Sequence, residues 1–251
     1  MLGEKFSSMT ESEKTLAGLI AINTLVFGCW QVPRLVPFMT KWFLHLPGSS
    51  RNITLLTSCF SHQEFFHFAL NMVGLWSFGR IAHEHLGREQ FVAMYLSVGV
   101  GANVVSHVCS LALRHSRPLL PSLGASGAIY GLLASTAVLY PQSSVSLIFL
   151  PMFPIKLGHA LPALMGFDFA GIMLKWRMFD HFAHLAGASF GMIYTYYGEQ
   201  GIWTPLVRKI HDIRHNEGGN NGRGGEGGTY LWLESRQPPV QTNKWSSWFN
   251  K

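Results

Sequence analysis

The sequence predicts an all-α polytopic membrane protein built on a bundle of six membrane helices. Three observations carry that expectation. Of 251 residues, 48% are hydrophobic and only 13% charged, about half the ~25% charged residues usual in soluble domains. Apolar runs near the length of a bilayer crossing, about 18–20 residues, recur along the chain. The connections between them collect Lys, Arg, Pro and aromatic residues, the residue types that mark membrane boundaries.

Taken in order, residues 1–14 form a short polar N-terminal segment. Glu4, Glu11 and Glu13 interrupt it and no apolar stretch follows the first residues, so it reads as neither a signal nor a transit peptide. The first apolar run, 16–32, stops at Pro33, whose missing N–H ends a helix. The connection 34–57 sets Trp42, Phe43 and Leu44 beside Lys41 and His45, a composition suited to lying in the interface. The second run, 65–81, closes on a charged turn with Arg80, Glu84, Arg88 and Glu89. The third, 91–113, leads into Arg114, His115, Arg117 and Pro118. The fourth, 125–139, stops at Pro141.

Residues 143–153 are apolar, with Pro151 and Pro154 bracketing their end, and read as a membrane-dipping or extended connection. The fifth run, 160–174, precedes Lys175-Trp176-Arg177. The sixth, 179–197, carries Tyr194, Tyr196 and Tyr197, with Trp203 beyond, as in an interfacial aromatic belt. The expected organisation is therefore a six-span core over 15–200, a basic juxtamembrane segment over 201–217 and a Gly-rich flexible tail over 218–251.

The net charge of +6 is accounted for by these connections and the tail, through topology and lipid headgroups, and implies no nucleic-acid partner. Lys and Arg divide almost evenly between the two faces, so the positive-inside rule selects no orientation. Cys29, Cys59 and Cys109 lack metal-binding spacing and read as scattered thiols.

Chemistry concentrates where the fourth run begins, at Leu123-Gly124-Ala125-Ser126-Gly127-Ala128. A serine among small residues has two readings. It lets helices pack closely in a membrane, or it is a nucleophile, which then needs a base. His184, at the start of the sixth run in Ala183-His184-Leu185-Ala186-Gly187, is the candidate base. Gly187 and Gly191 follow it at i+3 and i+7 on one helix face, and Gly127 and Gly131 offer a matching stripe beside Ser126. Close approach at these glycines would bring hydroxyl and imidazole together. Tyr130, one turn below Ser126, is either a plain interfacial tyrosine or a support that stacks on the imidazole, in place of the Asp some serine hydrolases use.

Six spans also give a depth argument. Runs two, four and six point the same way, so His67 and Asn71, Ser126 and His184 fall at similar depth below one face. Intramembrane polar groups are costly and tend to mark function. His67 and Asn71, at i and i+4, share a face and can donate to an oxyanion, together with the Ser126 N–H at a helix N-terminus.

Other chemistries fit less well. His62 and His67 are five apart, about 140° around a helix, and no HExxH occurs. His181 and His184 make an i, i+3 pair that no carboxylate or Cys joins in sequence. Asp168 and Asp180 are the carboxylates an aspartyl mechanism would have to use. Neither a metal nor a cofactor is expected.

These residues carry a resemblance to the rhomboid intramembrane serine proteases. Its bearers are Gly124-Ala125-Ser126-Gly127, the run from Ala183 to Gly191 with His184, Gly187 and Gly191, and the His67/Asn71 pair. Further matching text, Asn71-Met72, Leu75-Trp76-Ser77-Phe78 and 148–153 among it, is similar to a mitochondrial, presenilin-associated branch of that family. The resemblance implies a Ser126–His184 dyad and cleavage of single-pass membrane proteins in the inner mitochondrial membrane. It also implies a further N-terminal span, where this sequence has a short polar segment before Leu16. The alternative is a non-catalytic relative that binds transmembrane helices in the bilayer without cutting them.

Overall fold

The structure, a computed structural model, describes residues 8–147 and 150–218. It is mostly helical. The first helix, α1 (Glu11–Trp30), starts at a capping box. Thr10 accepts from the Glu13 N–H, and the Glu13 carboxylate accepts from the Thr10 N–H in return. After the turn at Pro33 the chain bends by 95° into α2 (Val36–Phe43). A short helix, α3 (Thr54–Thr57), leads to α4 (Phe65–Leu86) and α5 (Arg88–Ala112). Gly87, at φ +79°, makes the one-residue break between these two.

Then come α6 (Ser126–Leu139), α7 (Leu157–Met173) and α8 (His181–Ile193), which passes into a π-helical segment, Tyr194–Trp203. Residues 143–153 fall in an extended connection: β1 (Ser144–Leu147) pairs antiparallel with β2 (Leu150–Lys156). The chain divides into two compact units at Glu199/Gln200. The second contains α9 (Thr204–Gly218). The Gly-rich tail beyond Gly218 lies outside the described residues.

All six apolar runs are thus helical, and their starts differ from the expected ones by a few residues. Among the described residues only α5 is by itself long and apolar enough to cross a membrane, and α1 with α2 passes as a bent pair. α6 and α7 are shorter apolar helices. α4 has the length, but Arg80, His83, Glu84 and His85 lower the apolarity of its second half.

α6 sits at the centre, against α4, α5, α7 and α8. Leu16, Leu75, Phe91, Tyr95 and Leu132 form the main apolar core around it. The α6–α8 seam is backbone against backbone. A methyl on Gly187 would collide with the Gly127 carbonyl, and one on Gly191 with the Gly131 carbonyl. One turn further along, the Thr195 hydroxyl donates to Ser135 Oγ at 2.9 Å. The small stripe exists because the helices touch at main-chain distance, the geometry small residues permit.

Candidate active site

The seam delivers the two sequence-predicted partners to each other. Ser126 opens α6 and His184 stands in the first turn of α8. Their Oγ and Nε2 atoms are 2.9 Å apart. His184 is nearly buried, at 6% exposure. The Tyr130 ring stacks on the imidazole, with centroids 4.3 Å apart and planes 12° from parallel.

The other imidazole nitrogen reveals what the sequence reading missed. His184 Nδ1 lies 2.9 Å from Oδ1 of Asp168, a fully buried carboxylate on α7. The same oxygen is 2.6 Å from Nδ1 of His181. A carboxylate accepts only, so Nδ1 of His184 carries the proton and Nε2 is left bare to accept from the Ser126 hydroxyl. No carboxylate joins His181 and His184 in sequence, but the fold brings Asp168 to Nδ1 of both, and of the two readings of Tyr130 the structure has the ring stacked on the imidazole. The contact is tertiary, between helices flanking one short connection. The available signal was a lone carboxylate within an apolar run, a costly residue that marks function by default.

A second carboxylate frames the site. Asp180 caps α8, accepting from the Ala183 N–H at 3.0 Å. It also accepts from Ser106 of α5 at 2.7 Å and from Ser122 at 2.6 Å. Ser122 is in turn bridged to His45 by paired backbone hydrogen bonds of 3.0 and 2.8 Å. One side chain therefore ties the start of α8, α5 and the loop before Ser126 to the connection between α1 and α4.

That loop is shaped further by Gly124, at φ +131°, a backbone conformation open to glycine. A Cβ there would come within 2.8 Å of the His67 ring. The Ala125 N–H points to His62 Nε2 at 3.3 Å. His62 is fully buried between α4 and the loop, with its ring edge-on to His67. Burial, reinforced by the neighbouring His67, pushes its pKa down to about 3, so it stays neutral and accepts the bond.

His67, Ser126 and His184 line one cavity of about 680 Å³. Asn71 sits one turn deeper, and its amide N–H donates to the His67 carbonyl at 2.8 Å. One of its two amide N–H groups is thus engaged on its own helix. The first turn of α6 is better placed: its N-cap, Ala125, has no side-chain acceptor, so the opening N–H groups remain available to an anion. Among the described residues, Asp168, His181 and His184 are the one group whose donor atoms converge closely enough to suit a metal ion. Yet Asp168 Oδ1 itself occupies the space between the two Nδ1 atoms at hydrogen-bond distances.

A helical membrane domain with a serine and histidine joined across a glycine seam belongs to a recognisable class. The Rhomboid domain family matches residues 49–200, and the chain is a member of the rhomboid family. It is 45% identical over 215 residues to the mouse presenilin-associated rhomboid-like protein, mitochondrial, an alignment covering 84% of this chain and 56% of the mouse protein. Zebrafish presenilin-associated rhomboid-like protein A, mitochondrial, is 42% identical over 227 residues, covering 89% and 58%. Yeast rhomboid protein 1, mitochondrial, is 34% identical over 208 residues, covering 80% and 58%. The chain spans a little over half the length of these relatives. It is accordingly a membrane protein of the mitochondrial rhomboid type.

Proposed function

We propose that this chain is an intramembrane serine endopeptidase of the inner mitochondrial membrane. In this reading the six helices of 15–200 are membrane spans, and the substrates are single-pass membrane proteins cut in or near their transmembrane segment. The observation that carries the reading is the relay from Asp168 through His184 to Ser126, with contacts of 2.9 Å at both nitrogens of the imidazole.

The chemistry follows from that relay. Ser126 Oγ attacks the scissile carbonyl as its proton passes to His184 Nε2, and a C–O bond forms while the carbonyl π electrons move onto oxygen. The resulting imidazolium lies against the Asp168 carboxylate. The N–H of Ser126, with His67 and the second amide N–H of Asn71, stabilises the oxyanion. Collapse expels the amine, which takes its proton from His184. Water, activated by the same imidazole, then releases the acyl group. No cofactor is needed for any step.

The test is cleavage of single-pass substrates by purified protein, with Ser126→Ala beside it and a fluorophosphonate label on the active serine. The expected result is cleavage and labelling by the parent and neither by Ser126→Ala. Equal cleavage by a folded Ser126→Ala protein would overturn the reading. Tight binding of transmembrane helices by an unlabelled, inactive parent would favour the non-catalytic alternative.

A further inference from the structure

We infer that His181 is a positioning residue of this site, one that holds the Asp168 carboxylate on His184. The inference rests on the protease reading above and adds a member to it. His181 touches neither Ser126 nor the ring of His184 by hydrogen bond. Among the described residues its one hydrogen bond is Nδ1 to Asp168 Oδ1, at 2.6 Å the shorter of the two that oxygen makes there.

The surroundings make that contact consequential. Asp168 is fully buried and its Oδ2 makes no hydrogen bond among the described residues. The Tyr130 hydroxyl is near the carboxylate. A buried charge with so few donors is costly, and loss of one donor leaves it poorly compensated. Without His181, the carboxylate would keep the N–H of His184, the residue it is supposed to orient, and the nearby Tyr130 hydroxyl. With His181, Oδ1 is fixed from a second direction before His184 moves its proton.

Apart from that bond, His181 is held by apolar packing. Its ring presses on Gly171, where any side chain would collide with the ring. Phe167, Trp176 and Phe179 surround it at centroid distances of 6.0–6.2 Å. Nε2 is buried and has no hydrogen-bond partner among the described residues. That fixes the tautomer: a proton on Nδ1 serves Asp168, whereas a proton on Nε2 would leave a buried N–H unpaired and set two lone pairs against each other. The aromatic box and the glycine thus hold the imidazole with its Nδ1–H aimed at the carboxylate. The same donors match a cation's preferences, but a cation would have to displace Oδ1 from between the two rings.

The experiment is a kinetic cycle in detergent on a single-pass substrate. His181→Leu removes the donor at similar bulk. His181→Asn keeps an N–H at the Nδ1 position. Parent and Ser126→Ala proteins in the same assay test the protease reading separately, since an inactive parent would sink that reading before His181 is examined. The expected result for His181→Leu is a kcat lowered about ten- to hundredfold, the effect of one hydrogen bond to a buried charge, with KM unchanged. His181→Asn should recover most of it. Added to Asp168→Asn, His181→Leu should cost nothing further, because its action runs through that carboxylate.

Melting curves accompany each variant, and if His181→Leu does not fold, the Asn variant and its cycle with Asp168→Asn carry the test. His181 is merely a structural contact if His181→Leu lowers stability but leaves kcat intact, or if its loss multiplies with that of Asp168→Asn. Activity lost to EDTA and restored by zinc would make the three residues a metal site and overturn the inference.

Discussion

The two sides of Ser126 are built on different principles. Toward α8, everything is in direct contact: main chain meets main chain at Gly127 and Gly187, and an unbroken line of hydrogen bonds runs from Ser126 to Asp168 and His181. Toward α4, the groups are near but uncommitted. His67 leans on Gly124, Asn71 bonds its own helix, and the cavity lies between α4 and the serine. In the protease reading proposed above, the contrast sets an assembled proton relay on one side of Ser126 against an oxyanion side that is not yet assembled. That division is physically reasonable. Proton transfer tolerates little misplacement, whereas the oxyanion exists only once a substrate carbonyl is in place.

Removing the relay should have the largest effect. His184→Ala is expected to lower turnover by several orders of magnitude, and the double variant with Ser126→Ala should be scarcely worse than either single change, since members of a catalytic unit are not additive. Independent, multiplying losses in a single-turnover assay would break the picture of one relay.

Next comes the seam that holds it. Gly187→Ala forces α6 and α8 apart at the Gly127 carbonyl. It should cost about 1–3 kcal/mol of stability and about 10² in rate, the effect of a misplacement near 1 Å. Gly166, where a methyl would meet nothing within 4 Å, supplies the control: Gly166→Ala should leave melting temperature and rate unchanged. Equal tolerance at 187 and 166 would mean the seam is not what sets the contact.

On the looser α4 side the effect should be smaller. Asn71→Ala is expected to lower kcat by about 10–10², below the 10²–10³ of a fully engaged oxyanion donor. The amide already gives one of its two N–H groups to the His67 carbonyl, and the first-turn N–H groups of α6 remain. A raised KM with kcat untouched would make Asn71 a substrate-binding residue.

The last effect is on stability alone and depends on pH. His62 has a pKa near 3 when folded, against an ordinary 6.5. The unfolded chain therefore binds a proton that the folded one refuses between those values. Folding stability should fall as pH drops from about 6.5 toward 3, by at most ~1.4 kcal/mol per unit. His62→Gln, which keeps an acceptor for the Ala125 N–H, should flatten that slope in detergent melts. An unchanged slope would place the acid sensitivity elsewhere.

Much of this was legible in the residues. Hydropathy and proline punctuation located six helical segments, because helix boundaries follow from local chain chemistry. Ser126 and His184 stood out as polar groups at the starts of apolar runs, and the glycine stripes announced which helices meet, because period-3.6 spacing is a local property. Tyr130 was marked by its position one turn below the serine, though the choice between an interfacial ring and a stacked one lay beyond the sequence. Residues 143–153 left two conformations open, and the antiparallel pairing of β1 with β2 decided for the extended one.

What the sequence determined by itself was the helical membrane character, the family and the serine–histidine pair. Asp168 and His181 belong to what only tertiary structure decided. Asp168 and His184 stand at comparable distances on either side of the short α7–α8 connection, so their depth was readable in principle. Their facing was not: it depends on how α7 rotates against α8, and that rotation is set by packing at Gly171 and the aromatic residues around His181. The same holds for Asn71, whose position follows from helix spacing while its hydrogen-bond partner does not. A side chain's place along a helix is fixed by covalent geometry and local period. The atom it finally touches is chosen by the competition among all the neighbours that folding brings within reach.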